Sequence, residues 1–115
     1  MAMAVEGAVS GLAGGEKAAA VDMVAYQPGA VVSREVMRSP KGTVTAFAFA
    51  EGQGLSEHTT PYDALAHVLD GEAEITIDGA PQRVRAGEIL RMPGGHPHAL
   101  RAVSPFKMLL TMIRA

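Results

Sequence analysis

Near neutral pH, histidine is the side chain with the widest choice of chemistry: it takes up or gives a proton, hydrogen-bonds a ligand, or lends a lone pair to a metal. The chain carries four, His58, His67, His96 and His98. Cysteine is absent, so no disulfide forms, and a transition metal would have only imidazole, carboxylate and water to draw on. His96 and His98 flank Pro97 in PGGHPHAL. Residues two apart on extended backbone leave on the same face, so this pair can converge. Pro97 and the Gly94-Gly95 turn before it leave a second placement open, in which His96 is solvated on a loop. Tyr62 offers a phenol that can donate a hydrogen bond to a ligand or act as an acid.

The elements that must hold these groups read as β-structure. Val, Ile, Thr and Phe recur in short segments cut by Pro and Gly about every ten residues, the pattern of a small all-β sandwich or barrel. Strands are expected at Val31–Arg38, Thr43–Glu51, Ala64–Leu69, Glu72–Ile77, Gln82–Arg85, Ile89–Met92, Ala99–Val103 and Phe106–Ile113. Asp70-Gly71 and Asp78-Gly79 each supply the positive φ of a tight hairpin turn. In EAEITI the apolar Ala73, Ile75 and Ile77 alternate with Glu72, Glu74 and Thr76, which gives one buried and one wet face.

Two segments are apolar on both faces. In TVTAFAFA, Val44, Ala46 and Ala48 oppose Phe47 and Phe49; in FKMLLTMI, Phe106, Met108, Leu110 and Met112 oppose Leu109 and Ile113. Such strands need cover on both sides, and a second copy of the chain is the economical source. A homodimer is therefore expected. Residues 1–20 are rich in Ala and Gly without a burying period and are expected to form a loose N-terminal arm; residues 21–115 form the single domain. The first segment lacks a basic start and an unbroken apolar run, so a secretory signal is not expected, and a cytoplasmic location is. No apolar run reaches the length of a bilayer span. Ten basic against twelve acidic side chains, with no long run of either sign, leave no footprint for nucleic acid or an acidic membrane. A small molecule is the expected partner.

From Gly52 to Leu100 the chain resembles the cupins, in particular the small RmlC-like ones. Their first motif runs Gly, five residues, His-x-His, three or four residues, Glu, six residues, Gly. Their second runs Gly, five residues, Pro-x-Gly, two residues, His, three residues, Asn. The second is present as Gly87, Pro93, Gly95 and His98, with Ala102 at the Asn position. The first keeps its frame from Gly52 to Gly71, but His58 is followed by Thr60 at the second His slot and Ala64 at the Glu slot.

The resemblance implies a jelly-roll barrel, a double-stranded β-helix, with a site at its mouth. It also implies a divalent transition metal, Zn, Mn, Ni or Fe, held by His58 and His98, with His96 as a third ligand if it turns inward. Two imidazoles alone make a weak site. Thr60, Tyr62, Ala64 and Met92, with Phe47 or Phe49 and some of Met37, Met108 and Met112, are the expected pocket wall. Asp63 beside the Glu slot points to the other face, as does His67, which is expected at the partner interface. The functions implied are a small-molecule-binding cupin, a metal-dependent enzyme of dioxygenase, isomerase or decarboxylase type, a metal-free binding module, or a cofactor-free isomerase or epimerase using a histidine base opposite Tyr62.

Overall fold

The computed structural model describes residues 11–114; the first ten residues of the expected arm lie outside them. Among the described residues a single turn of 3₁₀ helix, Ala20–Asp22, precedes nine strands. These are β1 (Val31–Ser39), β2 (Gly42–Phe49), β3 (Gly54–His58), β4 (Asp63–Asp70), β5 (Glu72–Ile77), β6 (Ala80–Arg85), β7 (Ile89–Met92), β8 (His98–Ala102) and β9 (Phe106–Ile113). They form a five-stranded sheet in the order β1-β2-β9-β4-β7 and a four-stranded sheet in the order β3-β8-β5-β6. All pairings are antiparallel. The expected all-β barrel is what forms. Its strands match the pattern of branched and aromatic residues, with β3 as the addition, because GLSEH has only Leu55 to announce it. No helix among the described residues is long and apolar enough to cross a membrane.

The two sheets close on one apolar interior. Ala73 and Ile75 of β5 are fully buried, as are Phe106 and Met108 of β9 and Ala66 and Val68 of β4. Phe49 stacks on Phe106 with ring centroids 4.4 Å apart and planes 7° from parallel. Burying each of these rings is worth about 1.5–3 kcal/mol, and the stacked pair adds about 0.5–1.5 kcal/mol. The ladder between β2 and β9 runs from Phe49 opposite Phe106 to Thr43 opposite Met112. The phenylalanine end is thus the closed end of the barrel, and Thr43 and Met112 stand at the open one.

The outer face of the five-stranded sheet is covered in part by the chain itself. Met23 and Val24 are buried against Ala46 and Ala48, with Leu12, Tyr26, Val32, Val36 and Leu109 around them. The Leu12 amide donates to the Val36 carbonyl at 3.0 Å. The Tyr26 hydroxyl donates to Asp70 at 2.5 Å; burial first, and the Asp70 bond next, push this phenol above its ordinary value and keep it a donor. Lys107 sits 5.0 Å from the Tyr26 ring centroid and donates to the Val21 carbonyl at 2.6 Å. Beyond this patch Met37, Leu65, Ile89 and Ile113 remain exposed.

The two Asp-Gly pairs turn out to do different jobs. Asp78 and Gly79 both have positive φ, 52° and 79°, and join β5 to β6 by the two-residue turn that needs it. Asp70-Gly71 makes no hairpin: β4 and β5 lie in different sheets, and Gly71 is the corner between them. A Cβ on Gly71 would come 1.8 Å from the Pro105 carbonyl oxygen, whereas one on Gly79 would meet nothing within 4 Å. Urea unfolding should therefore separate them: Gly79→Ala should lose about 1–2 kcal/mol for its left-handed backbone, and Gly71→Ala about 3 kcal/mol or more because the backbone of Pro105 must also move. Equal losses would contradict this assignment.

Candidate functional site

The site begins with a register shift. Leu55 of β3 faces Leu100 of β8, but His58 faces His98, so β3 spends three residues where β8 spends two. Leu55 packs against the core. A side chain three residues further along would face outward in strict alternation; the extra residue returns His58 to the inner face. The two imidazoles then meet edge to face with centroids 4.4 Å apart at 68°.

Each ring is oriented by its own backbone. The His58 Nδ1 lies 2.9 Å from the Ser56 carbonyl oxygen, and the His98 Nδ1 lies 3.4 Å from that of His96. A carbonyl only accepts, so Nδ1 is the donor in each ring, and in the neutral tautomer Nε2 presents the lone pair. His98 is 5 % exposed. Burial holds its imidazole below the usual histidine value, the neighbouring His58 adds to the shift, and the His96 carbonyl opposes it. His98 is thus neutral at pH 7. His58, by contrast, is exposed at the mouth.

The two motif loops are fastened together around this pair. The Gly95 amide donates to the Thr60 carbonyl at 2.8 Å, and the Gly94 amide to Asp63 Oδ1 at 2.9 Å. The Thr60 hydroxyl accepts from the Tyr62 amide at 3.2 Å, so it closes a turn in the loop. Ala64 faces inward, buried, between Met92 and Met112 on its neighbouring strands.

The third histidine does not join the pair. His96 is exposed and its Nδ1 donates to Asp78 Oδ2 at 2.7 Å, a link to the β5–β6 turn. The Gly-Gly turn before Pro97 releases it from the strand alternation that would have carried it inward, since β8 starts only at His98. His67 alternates with buried Ala66 and Val68 and so projects from the outer face, as does Asp63. Phe49 also needs correcting as a pocket residue. It shares the inner face with Thr43 but lies six residues further along β2, about 20 Å at strand rise, fully buried at the closed end. Phe47 packs beside it at 5.8 Å. Met108 is fully buried too, and Met37 is exposed on the outer surface. Met112 alone of the four expected methionines lines the cavity at the mouth, since Met92 is buried beside Ala64 and is not on its wall.

A cavity of about 520 Å³ opens there, walled by Thr43, Tyr62 and Met112 together with Arg38 and Arg114. The two histidines are not among its walls, although Met112 and Ala64 are register partners on the same end of the barrel. Arg38 and Arg114 escape the sequence reading because they stand just where strands end, one before the Ser39-Pro40 turn and one after β9. A signal for them does exist: Arg114 follows the inward Met112 by two residues.

The donor set does not fit the metal that the motif frame implies. Among the described residues no group of three or more His, Asp or Glu side chains is arranged to hold a metal ion. Two imidazoles stand without a carboxylate, Thr60 is engaged in its loop, and Ala64 has no donor, whereas open metal sites take about three or four protein ligands.

The chain matches the model of the cupin domain over residues 46–113. No curated protein matches it. Among solved structures it is similar to a conserved protein of unknown function from Streptococcus pyogenes, at 35% identity over 88% of this chain and 89% of that one, with a TM-score of 0.83. It is similar also to a cupin superfamily protein from Desulfitobacterium hafniense, at 28% identity over 84% of this chain and 87% of that one, TM-score 0.79. A conserved barrel domain protein from Leptotrichia buccalis is 38% identical over 82% of this chain, which spans 46% of that protein, TM-score 0.79. With both motif loops at one end of a jelly-roll barrel and a domain match over more than half its length, the chain belongs to the cupin family.

Proposed function

We propose that this cupin binds a small organic molecule at the barrel mouth, with Nε2 of His58 and His98 as paired hydrogen-bond acceptors, and that binding needs no tightly held metal. The observation that carries this reading is the tautomer pair: both Nδ1 atoms are committed to backbone carbonyls, which leaves the Nε2 atoms as acceptors, and among the described residues no His, Asp or Glu completes a metal-holding group with them. A cavity of this size with convergent polar groups is a usual form of small-molecule site. The same two lone pairs support a second reading, a metal-dependent enzyme of dioxygenase, isomerase or decarboxylase type, in which a divalent ion is held weakly by two imidazoles. Fold likeness alone does not choose between them.

We infer as well that two copies associate through the outer face of the five-stranded sheet. The support is the exposed set Met37, Leu65, Ile89 and Ile113, which the N-terminal segment leaves uncovered.

A thermal-shift screen of small metabolites, run with and without chelator, separates the two functional readings. Stabilisation should survive chelator in the parent and vanish in His98→Asn; stabilisation that appears only with added Zn, Mn, Ni or Fe would replace this reading with the metal enzyme. Stability should also report the buried neutral imidazole. The folded value of His98 lies below that of the unfolded chain, so the unfolded state takes up the proton first, and stability should fall as pH drops below about 6.5. Urea midpoints measured at neutral and mildly acidic pH should converge in His98→Asn; an equal drop in parent and variant would place the acid sensitivity elsewhere. Sedimentation at micromolar concentration should show a dimer that Ile89→Glu dissociates, and a monomeric parent would remove the association.

A further inference from the structure

We propose that the mouth cavity takes the carboxylate of a small organic acid between Arg38 and Arg114. This rests on the reading of the mouth as a small-molecule site and names the class of molecule. The cavity wall carries two guanidinium groups, the hydroxyls of Ser39, Thr43 and Tyr62, and no acidic side chain. An anion with an organic body is the complement of that wall, since Met112 supplies apolar surface for the body and guanidinium groups bind carboxylates bidentately. The volume of about 520 Å³ lies within the range usual for small-molecule sites.

Both arginines are held in place without being used up. The Nε of Arg38 donates to Glu35 at 2.7 Å, which fixes the plane of the guanidinium and leaves its two terminal nitrogens for a ligand. The guanidinium carbon of Arg114 lies 5.9 Å from the Tyr62 ring centroid, within reach of a cation–π contact. The Arg114 amide donates to the Lys41 carbonyl at 2.8 Å, tying it to the turn that carries Arg38. Arg38, Arg83, Arg85, Arg91 and Arg101 each have an acidic partner. Arg114 has none among the described residues, and it faces a cavity.

The motif positions point the same way. Met112 on the cavity wall is the register partner of Ala64, and the family frame puts a Glu there. A carboxylate at that position would repel an incoming anion; the methyl group does not.

Calorimetric titration in the presence of chelator tests this, with malate, 2-hydroxybutyrate and benzoate as probes beside their amides and inorganic phosphate. At least one acid should bind and its amide should not. Arg114→Gln should weaken that acid about tenfold, the scale of one charge-assisted hydrogen-bond pair, and the double variant with Arg38→Gln should abolish binding. Unchanged unfolding midpoints are expected for both variants because the two side chains are exposed. Phosphate binding more tightly than every acid, equal binding of acid and amide, or acid binding that survives in the double variant would each overturn the proposal. Acid binding that survives there but disappears in His98→Asn would do so while leaving the small-molecule reading intact.

Discussion

Antiparallel strands alternate their side chains with a period of two, so a strand in strict register with β8 from Leu55 onward would send His58 to the outer surface. The extra residue between Leu55 and His58 prevents this. It is a local irregularity with a defined consequence: the His58 ring is brought against His98 at a point where β3 is the edge of its sheet and free to bend. The loop after β3 then has to turn back within four residues to start β4 at Asp63, and the bonds from Gly94 and Gly95 to Asp63 and Thr60 close that turn onto the second motif loop. The histidine pair, the loop clasp and the placement of Tyr62 all follow from that one shift in register.

The same logic of faces governs the other side of the barrel. β2 and β9 are apolar outward as well as inward, and the structure meets part of that demand within one chain. Ala46 and Ala48 are fully buried because their small side chains let Met23 and Val24 lie close to the sheet. The hydroxyl of Tyr26 on Asp70 and the contacts of Lys107 with Tyr26 and Val21 hold this segment down. The part of that face left for a proposed partner is the one that carries Met37, Leu65, Ile89 and Ile113.

Much of this was legible in the residues. Strand positions followed from Val, Ile and Phe content, and the inner faces of β4, β5 and β9 followed from parity, because burial selects apolar side chains at every second place. Depth along a strand was not legible. Phe47 and Phe49 share the inner face with Thr43, and only the pairing of Phe49 with Phe106 shows that they belong to the closed end. Strand β3 was hidden because an edge strand at a wet mouth has little to bury, and its bulge cannot be read from five residues with one hydrophobic side chain. The direction of His96 was hidden for a related reason: Asp78 is eighteen residues away in sequence and meets it only once the β5–β6 turn is folded.

A metal site in this fold needs carboxylate or imidazole donors whose charge and lone pairs offset a divalent cation. Here the Glu position is Ala64, the second His position is a threonine serving its own loop, and His98 is kept neutral by burial. Meanwhile Arg38 and Arg114 contribute positive charge to the same end of the barrel. A divalent cation entering this mouth meets two lone pairs and an opposing field. The proposed organic acid would meet two guanidinium groups in the cavity and no acidic side chain on its wall. Ala64 and Thr60 at the motif positions, taken together with Arg38 and Arg114 at the same end of the barrel, therefore support the proposed organic acid over a divalent cation as the ligand of this mouth.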